Sequence, residues 1–248
     1  MTSIVARSIA PRWHLAIGVL GLGAFGLSLA AGAWLFLVAL ARPVESSSSW
    51  AVAVNAGLFG LFALHHSVMA RWRAKAWLTR HVPEHLERTL FVWVASFLFL
   101  TVCMAWRPVA GLAWELRGSA RVFGYALQAI GVLVTLHSAA LLDLGDLAGI
   151  RQVRAAMRND VIRQHAAAGG VTRRGAFGWV RHPIYFGWLL MTLPCPDMTA
   201  GRLAFTVISV TYLAVAIPWE ERSLVAQHGD EYRRYARDVR WRMLPGVY

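Results

Sequence analysis

The sequence predicts an all-α membrane protein, a polytopic bundle of about five to six transmembrane helices that ends in a C-terminal helical hairpin. Three observations lead to this fold class. Hydrophobic residues make up 57% of the 248 residues and charged residues only 15%, which is too apolar for a soluble domain of this length. The apolar residues form long runs, and most basic residues lie between those runs. The chain is therefore suited to a bilayer rather than to water.

Five apolar segments are long enough, or nearly so, to cross the roughly 30 Å hydrocarbon core at about 1.5 Å per helical residue. In chain order they cover residues 15–41, 50–70, 90–106, 122–142 and 203–219. A sixth apolar segment, 183–196, is shorter. The sequence leaves open whether it re-enters the membrane or forms half of a tight hairpin with the helix after Arg202. Either alternative returns the chain to the same side.

The distribution of basic residues predicts the orientation. With the N-terminus in the cytoplasm, 20 of the 25 Lys and Arg residues fall on the cytoplasmic side, as the positive-inside rule requires. We therefore predict a bacterial inner-membrane protein with both termini in the cytoplasm. The net charge of +12 suits anionic membrane lipids as partners. It does not indicate nucleic acid, because the basic residues do not line one exposed helix or arm.

Polar residues that could carry chemistry lie at the predicted cytoplasmic ends of the helices. They are His65 and His66 after the second span, Asp143 after the fourth, Arg181 and His182 before 183–196, and Glu220 and Glu221 after the last span. Charged groups near hydrocarbon are costly, about 2.5–3.5 kcal/mol at a helix centre, so they need partners or a function. Pro183 suits the first position of a helix and leaves nearby backbone donors and Arg181 available to an anion.

Each of these features also has a purely structural interpretation. His182 can cap a helix, Arg181 can extend to lipid phosphates, and the acidic pair can be solvated or salt-bridged. Adjacent residues such as His65 and His66 point about 100° apart on a helix, and no Cys or second His motif completes a zinc site. We expect no metal.

Three motifs of the C-terminal third occur in a characteristic order. They are residues 175–187 (GAFGWVRHPIYFG), residues 220–224 (EERSL) and residues 229–235 (GDEYRRY). In this order they resemble the isoprenylcysteine carboxyl methyltransferase and phospholipid methyltransferase superfamily. Residues 64–70 (LHHSVMA) and 146–153 (DLAGIRQV) are similar to its methanethiol S-methyltransferase branch.

The resemblance implies a membrane enzyme that uses S-adenosylmethionine as its cofactor. It implies that the residues in contact with the cofactor are Arg181, His182, Tyr185, Gly187, Glu220 and Glu221, with the glycine permitting a close backbone approach. The charges are compatible with this. An arginine with a helix N-terminus suits the carboxylate of the cofactor, paired glutamates suit its ammonium, and aromatic faces suit its sulfonium.

We predict a single integral membrane domain, 1–248, with three parts. Residues 1–145 form an N-terminal four-helix part, and residues 146–182 form a cytoplasmic segment. Residues 183–248 form the hairpin and tail that the resemblance assigns to cofactor binding. The active site is therefore expected to face the cytoplasm.

The expected reaction is direct in-line methyl transfer to a small thiol such as methanethiol, which gives a thioether such as dimethyl sulfide. A thiol reacts as its thiolate, so a base can assist, and the candidates are His65, His66, Asp143 and His182. Alternatives are a methyltransferase of isoprenylcysteine carboxylates or lipids, an NADPH-dependent reductase of the sterol type, and a non-enzymatic transporter or accessory membrane protein. The almost wholly apolar helix centres weigh against transport.

Overall fold

The structure, a computed structural model, describes residues 10–142, 144–158 and 170–248, and for Leu144 only the backbone. In chain order its elements are α1 (Arg12–Leu37), α2 (Ala51–Met69), α3 (Trp72–Leu78), α4 (Glu87–Ala105), β1 (Leu112–Glu115), α5 (Gly118–Ala140), α6 (Leu144–Leu147), α7 (Ile150–Met157), α8 (Pro183–Thr192), β2 (Asp197–Thr199), α9 (Ala200–His228) and α10 (Asp230–Asp238). Within the described ranges, five helical segments are long and apolar enough to cross a membrane. This confirms the predicted polytopic helical membrane protein.

A two-stranded antiparallel sheet fixes which helix ends lie together. β1 connects α4 to α5, β2 connects α8 to α9, and Leu112 pairs with Thr199 and Glu115 with Asp197. The α4–α5 and α8–α9 connections therefore lie at one end of the bundle, which we call the strand end. The opposite end, where α8 begins, is called the site end.

The short segment 183–196 runs beside α5 and reaches the strand end. Gln128 donates to the carbonyl of Met191 over 2.7 Å, and the Leu116 N–H donates to the carbonyl of Pro196 over 2.8 Å. The non-helical residues after α8 are tolerated because their carbonyls find partners inside the protein; Trp114 Nε1, for example, donates to the Cys195 carbonyl over 3.0 Å. The segment thus forms half of the C-terminal hairpin, one of the two alternatives that the sequence left open.

The contact between α5 and α8 depends on two facing glycines. A side-chain carbon on Gly131 would lie 2.7 Å from the Gly187 carbonyl oxygen, and one on Gly187 would lie 2.8 Å from the Gly131 carbonyl oxygen. Small residues permit this approach of two backbones, as is common between membrane helices.

A buried arginine joins α9 to α1 at the strand end. Arg202 is 7% exposed, and its guanidinium donates to the carbonyls of Phe36 (2.9 Å) and Leu37 (3.0 Å) in the last turn of α1. It also donates to the Asp197 carbonyl over 2.8 Å. The last carbonyls of a helix have no intrahelical partner, so Arg202 has a structural role here.

The last long helix, α9, continues beyond the apolar segment that predicted it. The prediction ended this segment at residue 219, whereas the helix ends at His228. The 20 residues from Ala200 to Trp219 already cover about 30 Å, so the remaining turns extend past the hydrocarbon. Apolar length locates where a helix leaves the membrane, but not where it ends.

The chain after α9 folds back onto the bundle. α10 buries Tyr232 and Tyr235, with Val239 beside them. Pro218 within α9 has no N–H, so the Ala214 carbonyl loses its helical partner. The hydroxyl of Tyr248 donates to that carbonyl over 3.2 Å.

Candidate active site

Residues from the start of α8 and from α9 meet at the site end. His182 is the N-cap of α8, and Tyr185 lies in its first turn. Glu220 and Glu221 lie on α9, and the structure brings both close to this turn. The clustering of these residues agrees with the sequence-based expectation, but their partners divide them into two groups.

The first group is a buried ion cluster, which we call the clasp, made of Arg181, Glu221 and Arg242. Arg181 Nε donates to Glu221 Oε1 over 2.5 Å, and Arg242 Nε donates to Oε2 over 3.0 Å. The Arg181 and Glu221 side chains are 8% and 12% exposed. Both oxygens of the carboxylate are therefore engaged by arginines.

The clasp also fixes the C-terminal tail. Arg181 Nη1 donates to the carbonyls of Val239 (2.8 Å) and Arg240 (2.9 Å). The Arg181 backbone N–H donates to the Trp241 carbonyl over 2.9 Å. Arg181 therefore binds protein groups with its side chain and its backbone, and it acts first as a structural residue that holds the tail against the start of α8.

A tyrosine beneath the clasp adds a second attachment of the tail. Burial raises the pKa of Tyr235 to about 12, so its phenol stays neutral at physiological pH. Its hydroxyl donates to the Phe177 carbonyl over 2.8 Å. α10 and the segment before α8 are thus held together independently of the charges.

The second group, which we call the polar chain, includes His182, Tyr185 and Glu220. Its open member is Glu220, whereas the His182 side chain is only 5% exposed. The Glu220 side chain is 43% exposed, and Tyr185 donates to its Oε2 over 2.9 Å. The rings of His182 and Tyr185 stack at 5.3 Å with an interplanar angle of 7°. His182 Nδ1 lies 3.7 Å from Glu220 Oε2, and its Nε2 lies 3.5 Å from Glu221 Oε1, so His182 also contacts the clasp.

Tyr212, a residue that sequence reasoning missed, joins α9 to α2. Its hydroxyl lies 3.1 Å from His66 Nδ1 and 3.4 Å from Ser67 Oγ. The available signal was a single phenol inside an otherwise apolar span, about two turns before Glu220.

Two other predicted site residues, His65 and Gly187, stand apart from this arrangement. His65 stacks on Phe91 at 5.8 Å, and its Nδ1 is buried without a partner among the described residues. Gly187 makes its close backbone approach to Gly131 of α5, which accounts for the glycine by helix packing. Asp143 lies outside the described residues.

A tryptophan in contact with two arginines lies beside Glu220. Trp219 precedes Glu220 and is 47% exposed. The guanidinium groups of Arg71 and Arg222 lie 4.7 Å and 4.5 Å from its ring centre, within the range of cation–π attraction. Within the described ranges no group of three or more His, Cys, Asp or Glu side chains could hold a metal ion.

Comparison with known proteins gives clear relatives. The chain is 39% identical over 202 residues to methanethiol S-methyltransferase of Mycobacterium tuberculosis, a match covering 81% of this chain and 80% of the relative. It is 36% identical over 196 residues to methanethiol S-methyltransferase of Crocosphaera subtropica, covering 79% and 75%. Human Nurim is 25% identical over 190 residues, covering 74% and 70%. No family model matches, and no solved structure matches significantly.

Proposed function

Because the chain belongs to the methanethiol S-methyltransferase family and is a membrane methyltransferase, we propose that it transfers a methyl group from S-adenosylmethionine to methanethiol to give dimethyl sulfide. One observation carries this proposal: proteins named for that reaction are 31–39% identical to this chain over at least 76% of its length. The similarity therefore extends well beyond the C-terminal third that contains the motifs.

The residues of the polar chain fit such a methyl donor by charge. Glu220 is half-exposed and keeps acceptor capacity beyond its bond from Tyr185, which suits the donor's ammonium group. The stacked faces of Tyr185 and His182 suit a sulfonium. The N-terminal end of α8 carries a positive partial charge, which suits a carboxylate. When bound, S-adenosylmethionine supplies an electrophilic methyl group on a positively charged sulfur.

In this proposal, Arg181 and Glu221 support the donor site without binding the donor directly. Their side chains are engaged with each other, with Arg242 and with the tail. They fix the positions of the first turn of α8 and of the tail. A rigid site matters because methyl transfer depends mainly on in-line orientation of the two reactants, which can lower the reaction barrier by about 7–11 kcal/mol.

The remaining tasks of the protein are to exclude water and to accept the thiol proton. Candidate bases are His66, which contacts Tyr212, and His182, which lies between Glu220 and Glu221; His65 and Asp143 stay candidates from the sequence. We also propose that the site end faces the cytoplasm of a bacterial inner membrane, with anionic lipid headgroups around its arginines.

Reconstituted enzyme tests the function directly. Purified protein in nanodiscs is incubated with methyl-labelled S-adenosylmethionine and methanethiol, and labelled dimethyl sulfide is collected from the headspace. We expect a label that requires the protein and both substrates. Methylation of a prenylcysteine carboxylate or a lipid instead of the thiol would overturn the acceptor, and nucleotide binding without methyl transfer would favour the reductase alternative.

A further inference from the structure

A cavity of about 170 Å³ lies between α1, α2 and α4. Its lining is mostly apolar, from residues such as Leu29, Phe62 and Phe91. A dry apolar cavity of about 150 Å³ is enough for a ligand the size of benzene. The cavity is therefore large enough for a small organic molecule.

Two polar side chains on the cavity wall keep hydrogen-bonding capacity. Ser96 is 2% exposed, and its hydroxyl has no partner within the described ranges. His66 uses Nδ1 for Tyr212, and no described residue bonds to its Nε2. By contrast Ser28, also on the wall, donates to the Phe25 carbonyl over 2.8 Å.

His66 connects the cavity to α9. It lines the cavity, and its Nδ1 lies 3.1 Å from the Tyr212 hydroxyl. Tyr212 is on α9, about two turns before Glu220. A cavity with an apolar lining and a histidine on its wall suits an apolar reactant that has to lose a proton.

We propose that this cavity binds the acceptor thiol, entering from the bilayer, and that His66 accepts its proton; the inference rests on the proposed function. The S–H bond breaks and the proton goes to His66 Nε2, while the Ser96 hydroxyl donates to the thiolate. The thiolate sulfur forms a bond to the donor methyl group. The bond from that methyl to the donor sulfur breaks, and its electron pair stays on the donor sulfur, which becomes neutral.

Cavity-filling and cavity-widening variants test the site. Ala95→Leu fills the cavity from α4, and we expect the KM for methanethiol to rise about tenfold with unchanged donor Kd. The matched control Ala129→Leu adds the same atoms at an exposed position of α5, where both constants should stay at wild-type values. Leu29→Ala widens the cavity, and it should raise kcat/KM for propanethiol relative to methanethiol about tenfold, the order expected for added methylenes in an apolar pocket.

The two polar groups are tested separately. Ser96→Ala should lower kcat/KM for methanethiol about tenfold without changing the donor Kd. His66→Asn should lower kcat more than it raises KM. Both are compared with wild-type protein of equal donor-binding stoichiometry, which shows that each variant is folded.

The outcomes separate this site from the proposed function. If Ala95→Leu and Leu29→Ala retain the wild-type thiol KM and chain-length preference while methyl transfer continues, the cavity assignment is wrong and the function stands. If Ala95→Leu does not fold, Leu29→Ala and Ser96→Ala decide by the same criterion. A wild-type protein that methylates no thiol overturns both.

Discussion

Two adjacent glutamates of α9 belong to regions with opposite character. Glu221 lies in the clasp, 12% exposed, with both carboxylate oxygens bonded to arginines. Glu220 lies in the polar chain, 43% exposed, with Tyr185 as its hydrogen-bond donor. Since consecutive residues of a helix point about 100° apart, one turn of α9 serves both a closed cluster and an open one.

The difference teaches how charge is divided between folding and binding. A buried ion pair stabilises a protein only where hydrogen bonds satisfy the desolvated groups, and the clasp meets that condition by binding backbone carbonyls as well as Glu221. A site for a charged ligand must instead leave bonding capacity free, as Glu220 does. In our proposal the acidic pair is therefore one motif with two separate roles, and this division can be tested.

The largest effect is expected from Glu221→Gln, which keeps the side-chain shape and removes its charge. Arg181 and Arg242 then lose a shared counter-ion, and removing one partner of a buried pair costs about 3–5 kcal/mol. We expect thermal unfolding in nanodiscs at a clearly lower temperature, with loss of donor binding because the start of α8 loses its support.

An exposed ion pair of the tail provides the control for that variant. Arg173 and Asp238 are also 2.5 Å apart, but their side chains are 49% and 56% exposed. Asp238→Asn should therefore cost at most about 1 kcal/mol. Equal losses of stability in Glu221→Gln and Asp238→Asn would contradict the structural role of the clasp.

Glu220→Gln should show the opposite pattern, with a folded protein and weak donor binding. Losing a hydrogen bond to a charged group costs about 1.5–3 kcal/mol, which corresponds to roughly a ten- to hundredfold rise in donor Kd. Calorimetric titration of the protein in nanodiscs measures this, with Glu45→Gln, an exposed residue, as the control. A wild-type Kd for Glu220→Gln would remove this residue from the donor site.

The sequence predicts the bundle and the region of the site because both depend on local properties. Apolar length locates the spans, and polar residues at span ends locate Arg181, His182 and the glutamates. The division of labour between Glu220 and Glu221 depends on Arg242, a partner 21 residues further along the chain whose position is set by the folded tail. No local pattern distinguishes Arg242 from the other arginines of that tail.

The sequence likewise does not indicate that Tyr248 bonds to α9. The Tyr248 hydroxyl donates to the carbonyl of Ala214, 34 residues earlier in the chain, which Pro218 leaves without its helical partner. A proline inside an apolar run does not indicate which side chain replaces the missing N–H. Gly187 illustrates a different limit. A motif glycine indicates a close approach, but only the packed helices show that Gly131 is the neighbour.

A smaller effect is expected from Tyr185→Phe, which keeps the ring and removes the hydroxyl that holds Glu220. One hydrogen bond is worth about 0.5–1.5 kcal/mol, so the donor Kd should rise about three- to tenfold with little change in unfolding temperature. Tyr232→Phe is the matched control, because the buried Tyr232 hydroxyl has no partner among the described residues. If both variants bind the donor equally, Tyr185 does not organise the polar chain.

The smallest effect concerns the far end of the tail, where Tyr248 joins α9. Tyr248→Phe leaves the Ala214 carbonyl without a donor and should lower stability by about 0.5–1.5 kcal/mol, while the donor Kd stays unchanged because the clasp remains intact. Pro218→Ala restores an N–H within reach of that carbonyl. Tyr248→Phe should therefore cost less in the Pro218→Ala background, and a double-mutant cycle of unfolding free energies measures the difference. Additive costs would mean that Tyr248 stabilises the tail by packing against Arg242 rather than by replacing the bond lost at Pro218.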